Sequence, residues 1–327
     1  MNTSGKTLQC TDTVLMLRPN HFGYNEATAG SNLFQSVASH LTPSEIHTKA
    51  LAEFDGFKNS LEQAGVHVVV FDDTPEPRTP DAIFPNNWLS THAEGLLVLY
   101  PMEGKNRRDE RRPDIIQRLK DTFAFGNVCD LTSHELNGRY LEGTGSMVID
   151  RKNGVAYACR SSRTDEGLVR DAARSLGLKR SVIFEANVMT NEETGFEQLH
   201  PIYHTNVMMS IGELTAVICA EAIRSDRERG EVMSSLRRDG YEVMEITTGQ
   251  LHKFAGNLLQ LRGKDGDRIW AMSSQAFGAL TARQRFILTA DGSRIVHSPL
   301  DTVELVGGGS ARCMLAEIFP PSRLRHG

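Results

Sequence analysis

The chain has no CxxC pair, and its five cysteines (Cys10, Cys129, Cys159, Cys219 and Cys313) are scattered and odd in number. That excludes a disulfide framework or a zinc ribbon and fits a reducing compartment. A basic excess is lacking too: 36 Lys and Arg face 41 Asp and Glu, with the signs interspersed. No nucleic-acid partner is expected from such a surface. No stretch approaches the roughly 18 consecutive apolar residues of a membrane span. The opening MNTSGKTLQC has no apolar run of the kind a signal peptide needs. The expectation is a cytoplasmic protein with no membrane partner. The run Gly307–Gly309 is not followed by Lys-Ser/Thr, and no GxGxxG follows a strand, so nucleotide cofactors lack a motif. Linkers rich in proline or serine are missing as well, which makes residues 1–327 one domain.

What is present is repetition. Roughly every 50–65 residues an apolar pair of β-like runs recurs around a polar turn, followed by an amphipathic helix and a further strand. The pairs are NNWLSTHAEGLLVLYP, SMVIDRKNGVAYACR, NVMMSIGELTAVICAE and NLLQLRGKDGDRIWAMS; TVLMLRP opens the chain alone. The first helix carries Ile46, Ala50, Leu51, Phe54, Phe57 and Leu61 on one stripe, with Thr42, Pro43 and Glu45 as its start and Gly65 as its stop. Ser225-x-x-Glu228 and Thr281-x-x-Gln284 read as capping boxes of later helices, and another helix runs from about Thr164 to Leu176. The helix around Ile115 and Leu119 has the least regular pattern. The closing strands read VHVVVFDD, NVCDLTS, RSVIFEA, YEVMEIT and RIVHSPL. The lone last strand, SARCMLAEIFP, is expected to return to the first unit. Five ββαβ units closed into a ring would leave no exposed sheet edge.

Chemistry-capable residues cluster where units begin. By repeat position Asn87, Ser146, Asn206, Asn257 and Ser310 each precede a first strand. A turn device repeated five times would give the same pattern. Glu142 sits in RYLEGTGSMVI, His204 in HPIYHTNVMMS, and Asp81 in TPDAIFPNNWLSTH. A buried cysteine is usually a small apolar residue, and Cys159 and Cys219, ending equivalent strands, fit that. Cys313 differs: it follows a glycine run, and Arg312 beside it would favour a thiolate. His200 and His204 are spaced as helical metal ligands would be, but Pro201 opposes a helix there, so no metal is expected.

The ordered set PDAIFPNN, LEGTGS, SSRT, HTN and GGGSARC resembles the guanidine-modifying superfamily, the penteins, over nearly the whole chain. The opening MLRPNHFGYNEATAGSNLFQ resembles its arginine deiminase-related, or citrulline hydrolase, branch. The resemblance implies a five-bladed α/β propeller of ββαβ repeats with pseudo-fivefold symmetry. It implies Cys313 as nucleophile, His204 as general acid/base and Glu142 as its carboxylate partner. Asp81 would contact the nitrogen end of a small-molecule substrate. Arg163 and Arg108, with Arg107 a near-equal alternative to the latter, would hold its α-carboxylate. No cofactor is implied, and a homo-oligomer is compatible with the pattern. The chain departs from the superfamily twice: Asn87 and Asn206 stand where carboxylates are usual, the second within His204-Thr205-Asn206. An amide both donates and accepts, which suits a neutral ureido group better than a guanidinium. The reading is hydrolysis of L-citrulline to ornithine, ammonia and carbon dioxide through a thiol-bound intermediate. The alternatives are arginine deiminase or dimethylarginine hydrolase, and, less favoured, an amidinotransferase.

Overall fold

The computed structural model describes residues 8–191 and 197–321. It contains five three-stranded sheets, each an antiparallel pair joined to a parallel third strand. In the second sheet Leu89–His92 pairs antiparallel with Leu96–Leu99, which runs parallel to Asn127–Asp130. The third is Val148–Asp150, Val155–Cys159 and Arg180–Phe184. The fourth is Met209–Ile211, Thr215–Ile218 and Glu242–Glu245, and the fifth Leu259–Arg262, Arg268–Ser273 and Arg294–Ser298. The first sheet borrows its opening strand from the other end of the chain: Ala316–Ile318 pairs antiparallel with Thr13–Arg18, which parallels His67–Asp72. The expected return of the last strand is thus observed.

A parallel pair cannot be joined by a tight turn, so each third strand is reached through a helix. These helices are Pro43–Gln63, Pro113–Phe123, Glu166–Ser175, Asp226–Arg238 and Ala282–Thr289. The first is fixed at its start by a reciprocal bond between Thr42 and Glu45 with Pro43 behind it. Its apolar stripe buries Ile46, Ala50, Phe54, Phe57 and Leu61. That stripe packs on the first sheet and on Arg294–Ser298 of the fifth, so one helix joins two units. Burial falls from inside to outside: Leu89–His92 is buried throughout, whereas Asn127–Asp130 is mostly exposed. Inner strands of neighbouring units touch: Ala316–Ile318 lies on Leu89–His92, and Met209–Ile211 lies between Val148–Asp150 and Leu259–Arg262.

Three expectations change. The helix around Ile115 is a regular α-helix, because Pro113 at its first turn and the buried stripe Ile115, Leu119 and Phe123 specify it. Ser225 caps the Glu228 amide, but the Glu228 carboxylate binds Arg160 and the Glu185 amide instead of closing a box. An additional hairpin, Asn187–Asn191 with Glu197–Pro201, interrupts the repeat between the third and fourth sheets.

Phe54 is fully buried in the cluster shared by the first and fifth sheets. Phe54→Ala is expected to cost about 3–5 kcal/mol in chemical denaturation. Phe286→Ala, at a side chain 70% exposed, is the control and should change little.

Candidate active site

The turns that open the units converge. Pro85–Asn87 precedes the inner strand of the second sheet, Gly143–Ser146 that of the third and Thr205–Met208 that of the fourth, and the Gly143–Ser146 turn packs against both others. Close approach demands glycine here. A Cβ on Gly145 would lie 2.5 Å from Asn87 Nδ2 and 2.8 Å from His204 Nδ1. In the glycine run, Gly308 has φ +63° and a Cβ there would meet Asn32 at 2.6 Å. The result is a narrow pocket whose lining includes Asp81, Asn87, Arg107, Arg163, His204 and Cys313.

Glu142 is fully buried and is the hub of the pocket. Its Oε2 accepts from His204 Nε2 at 2.8 Å and from Arg163 Nη1 at 3.4 Å. Its Oε1 accepts from the Glu103 amide at 3.0 Å, and Arg107 Nη1 lies 3.8 Å from Oε2. With Nε2–H turned to the carboxylate, Nδ1 of His204 carries the free lone pair. Two side-chain amides approach Cys313 Sγ: Asn257 Nδ2 at 3.3 Å and Asn206 Nδ2 at 3.5 Å. Asn257 is itself fixed, donating to Asn206 O and accepting from the Arg312 amide.

Asp81 binds Asn25 Nδ2 at 2.7 Å through Oδ2, while its buried Oδ1 has no partner among the described residues. Asn87 Oδ1 accepts from Arg107 Nη1 at 2.9 Å. Residues 25–36 cross over the pocket: Asn25 holds Asp81, Ser31 and Thr28 hold Arg163, and Asn32 and Ser36 bind the carbonyls of Gly307 and Leu305.

The eukaryotic N,N dimethylarginine dimethylhydrolase family model matches residues 18–320. The chain belongs to that family. It is a pentein family of hydrolases acting on carbon–nitrogen bonds other than peptide bonds. A search of curated proteins found no match. Solved structures similar in fold include apo ArgZ, an arginine dihydrolase from the ornithine-ammonia cycle in cyanobacteria, at 15% identity and TM-score 0.70 over 94% of this chain and 41% of that one. A variant of AgrE bound to L-arginine matches at 16% identity and TM-score 0.70, over 96% of this chain and 41% of its own. A dimethylarginine dimethylaminohydrolase adduct with S-methyl-L-thiocitrulline matches at 14% and 0.61, over 94% of this chain and all of its own. The chain thus spans about two fifths of the length of whole ArgZ and AgrE.

In this dimethylhydrolase-family chain the structure brings Cys313, His204, Glu142, Asp81, Asn87, Asn206 and Arg163 around one pocket. It does not bring Arg108. That side chain turns outward to Met102 O and Glu135, and its neighbour Arg107 lines the pocket instead. The reason is local: Lys105–Glu110 is a 3₁₀ turn, which stacks positions three apart. Arg107 and Glu110 therefore share the inner side and form two bonds, at 2.8 and 2.9 Å. The Arg107-x-x-Glu110 spacing was the available signal. Asn257 stood out only as a repeat position, Tyr203 carried no comparable mark, and residues 25–36 were marked only by the resemblance of the opening MLRPNHFGYNEATAGSNLFQ.

Arg312 does pull the Cys313 thiol toward the thiolate, but burial outweighs it. Its guanidinium turns to Leu315 O and to Glu317 at 3.0 Å. Burial pushes the Cys313 thiol up, against the opposing pull of the Ser310 backbone bond, Asn257, Arg312 and Asn206. Burial and the nearby Arg163 and Arg107 bring His204 down to about 4, although Glu142 pulls the other way. Burial alone would raise Glu142, but Arg163, His204 and Arg107 hold it well below the usual carboxylate range. Burial thus favours the neutral thiol and the neutral imidazole, both lining the same pocket. Alkylation of Cys313 by iodoacetamide should accelerate as pH rises through and beyond the ordinary thiol range. A plateau already reached near pH 7 would mark a thiolate–imidazolium pair instead.

Proposed function

We propose that the chain hydrolyses a planar C–N side-chain group, with L-citrulline as its substrate, in a single domain of five units closed around this pocket. What carries the hydrolase reading is the constellation itself: a thiol held by two amides, and an imidazole bonded at 2.8 Å to a buried carboxylate, lining one pocket. Cys313 attacks the ureido carbon as its proton passes to His204 Nδ1, and Glu142 stabilises the imidazolium. The imidazolium returns that proton to the departing δ-nitrogen of ornithine. A carbamoyl thioester remains on Cys313. His204 then takes a proton from water, hydroxide adds to the thioester, the C–S bond breaks as the imidazolium returns that proton to the Cys313 sulfur, and carbamic acid leaves, giving ammonia and carbon dioxide. These residues suffice for each proton transfer in the scheme.

The preference for citrulline rests on charge. Two amides stand in positions where a guanidinium would seek carboxylates, and the Asn87 oxygen is already given to Arg107. A second guanidinium brought there would meet a fixed cation, and a buried cation lacking a close counter-charge costs several kcal/mol. Arg163 and Arg107 are the two cations available to a substrate α-carboxylate. One observation favours a second reading, a guanidinium substrate such as dimethylarginine or arginine: Asp81 keeps a buried, unpartnered oxygen that a charged N–H donor would satisfy. The family match points the same way.

A panel of citrulline, arginine and dimethylarginine, with ornithine, citrulline and ammonia assayed as products, decides between them. Citrulline should show the highest kcat/KM, and far faster turnover of either guanidinium compound would remove the charge argument. Asn87→Asp should move selectivity toward arginine. Cys313→Ala should abolish turnover with the fold retained, and Glu142→Gln should lower kcat by about 10²–10⁴.

A further inference from the structure

A second cavity lies at the other end of the same inner strands. The catalytic pocket gathers residues that precede Leu89–His92, Val148–Asp150 and Ala316–Ile318. This one gathers residues at or just beyond their ends: His92, Arg151 and Phe319, with Glu94, Lys152 and Lys179 around them, about 190 Å³ in volume. We propose that it binds a small dianion of the phosphate class, with the Arg151 guanidinium as its central donor.

The reason is a buried cation with too little negative charge beside it. The Arg151 side chain is 8% exposed and lies over Phe319, its guanidinium carbon 3.9 Å from the ring centroid. One of its nitrogens donates to His92 Nδ1 at 2.9 Å. That partner is neutral: burial and Arg151 itself keep His92 well below its ordinary range, and its Nε2 bonds Ser90, which in turn bonds Tyr100. The nearest carboxylate, Glu317, is 4.0 Å from Arg151 and bonded at 3.0 Å to Arg312, so two buried guanidiniums share one acid. Burial accordingly pulls Arg151 below its usual range, Arg312 adds to that, and Glu317 offsets it only in part.

Lys152 and Lys179 add positive charge at the mouth, against the single exposed carboxylate of Glu94. With Glu317 assigned to Arg312, Arg151 and the two lysines exceed Glu94 by two charges, which a phosphate dianion balances. A guanidinium's fixed fork matches a phosphoryl group, and a lysine serves it as a mobile point charge. The Lys152 ammonium already reaches the Glu213 carbonyl at 3.3 Å, so it must swing inward to engage.

The test is binding of inorganic phosphate to the whole chain at constant ionic strength, followed by calorimetry and thermal unfolding, with sodium chloride as the control salt. Glycerol phosphate in parallel separates a free-phosphate site from one for a phosphomonoester. Wild type should bind one equivalent of at least one of the two and melt at a higher temperature with it. Lys152→Ala/Lys179→Ala, two exposed changes, should weaken binding at least tenfold, and Glu94→Gln should tighten it severalfold. Arg151→Met should abolish it; should that variant fail to fold, the lysine and Glu94 variants still decide. Absence of saturable binding would overturn the proposal. So would binding unchanged in the lysine variant, which would place the anion at Arg163 and Arg107 of the catalytic pocket.

Discussion

The Glu142 carboxylate is the constraint on which the pocket depends. An ion of this kind taken out of water loses several kcal/mol unless opposite charge and hydrogen bonds replace the solvent. Here His204, Arg163, the Glu103 amide and, a little further off, Arg107 provide that replacement. They come from three stretches of chain, around residues 103–107, 163 and 204, so the charge of one residue fixes how those stretches meet. The same network leaves His204 neutral with its second nitrogen free, and leaves Arg107 and Arg163 inside the pocket rather than on the surface.

Architecture and chemistry are connected through the position of unit entrances. Turns precede the buried inner strands of the second, third and fourth sheets, and inner strands of neighbours touch in three places among the described residues. Side chains placed on those turns therefore share one end of the molecule. Residues at the other ends of the same strands share the opposite end, where Arg151 and His92 lie. The glycines at 145 and 308 allow the turns and the covering segment to approach within distances that any Cβ would block.

Much of this was legible in the sequence because it repeats. A hairpin, a helix and a strand recurring in step reveal five sheets, and the solitary last strand can complete only the first. The cysteine, histidine and glutamate were visible through short motifs at unit entrances. What was not legible depends on local geometry that periodicity does not encode. Arg107 and Arg108 are adjacent, and only the 3₁₀ turn decides which faces inward. Arg312 pulls its neighbour's thiol down, but Glu317, four residues beyond that neighbour, engages its guanidinium, and burial outweighs the pull. The hairpin of Asn187–Asn191 and Glu197–Pro201 belongs to no repeat, and residues 25–36 reach the pocket through the side chains of Asn25, Ser31 and Asn32 and the Thr28 carbonyl, which no repeat position marks.

The central claim is that the sulfur of Cys313 becomes covalently bonded to the substrate's planar carbon during turnover. Acid-quenching the enzyme in steady state with citrulline, then digesting it and weighing the peptides, tests this most directly. The account predicts one carbamoyl group on the peptide containing Cys313 and none on those containing the other four cysteines. Full turnover with no adduct at any quench time, or an adduct on a different residue, would contradict it.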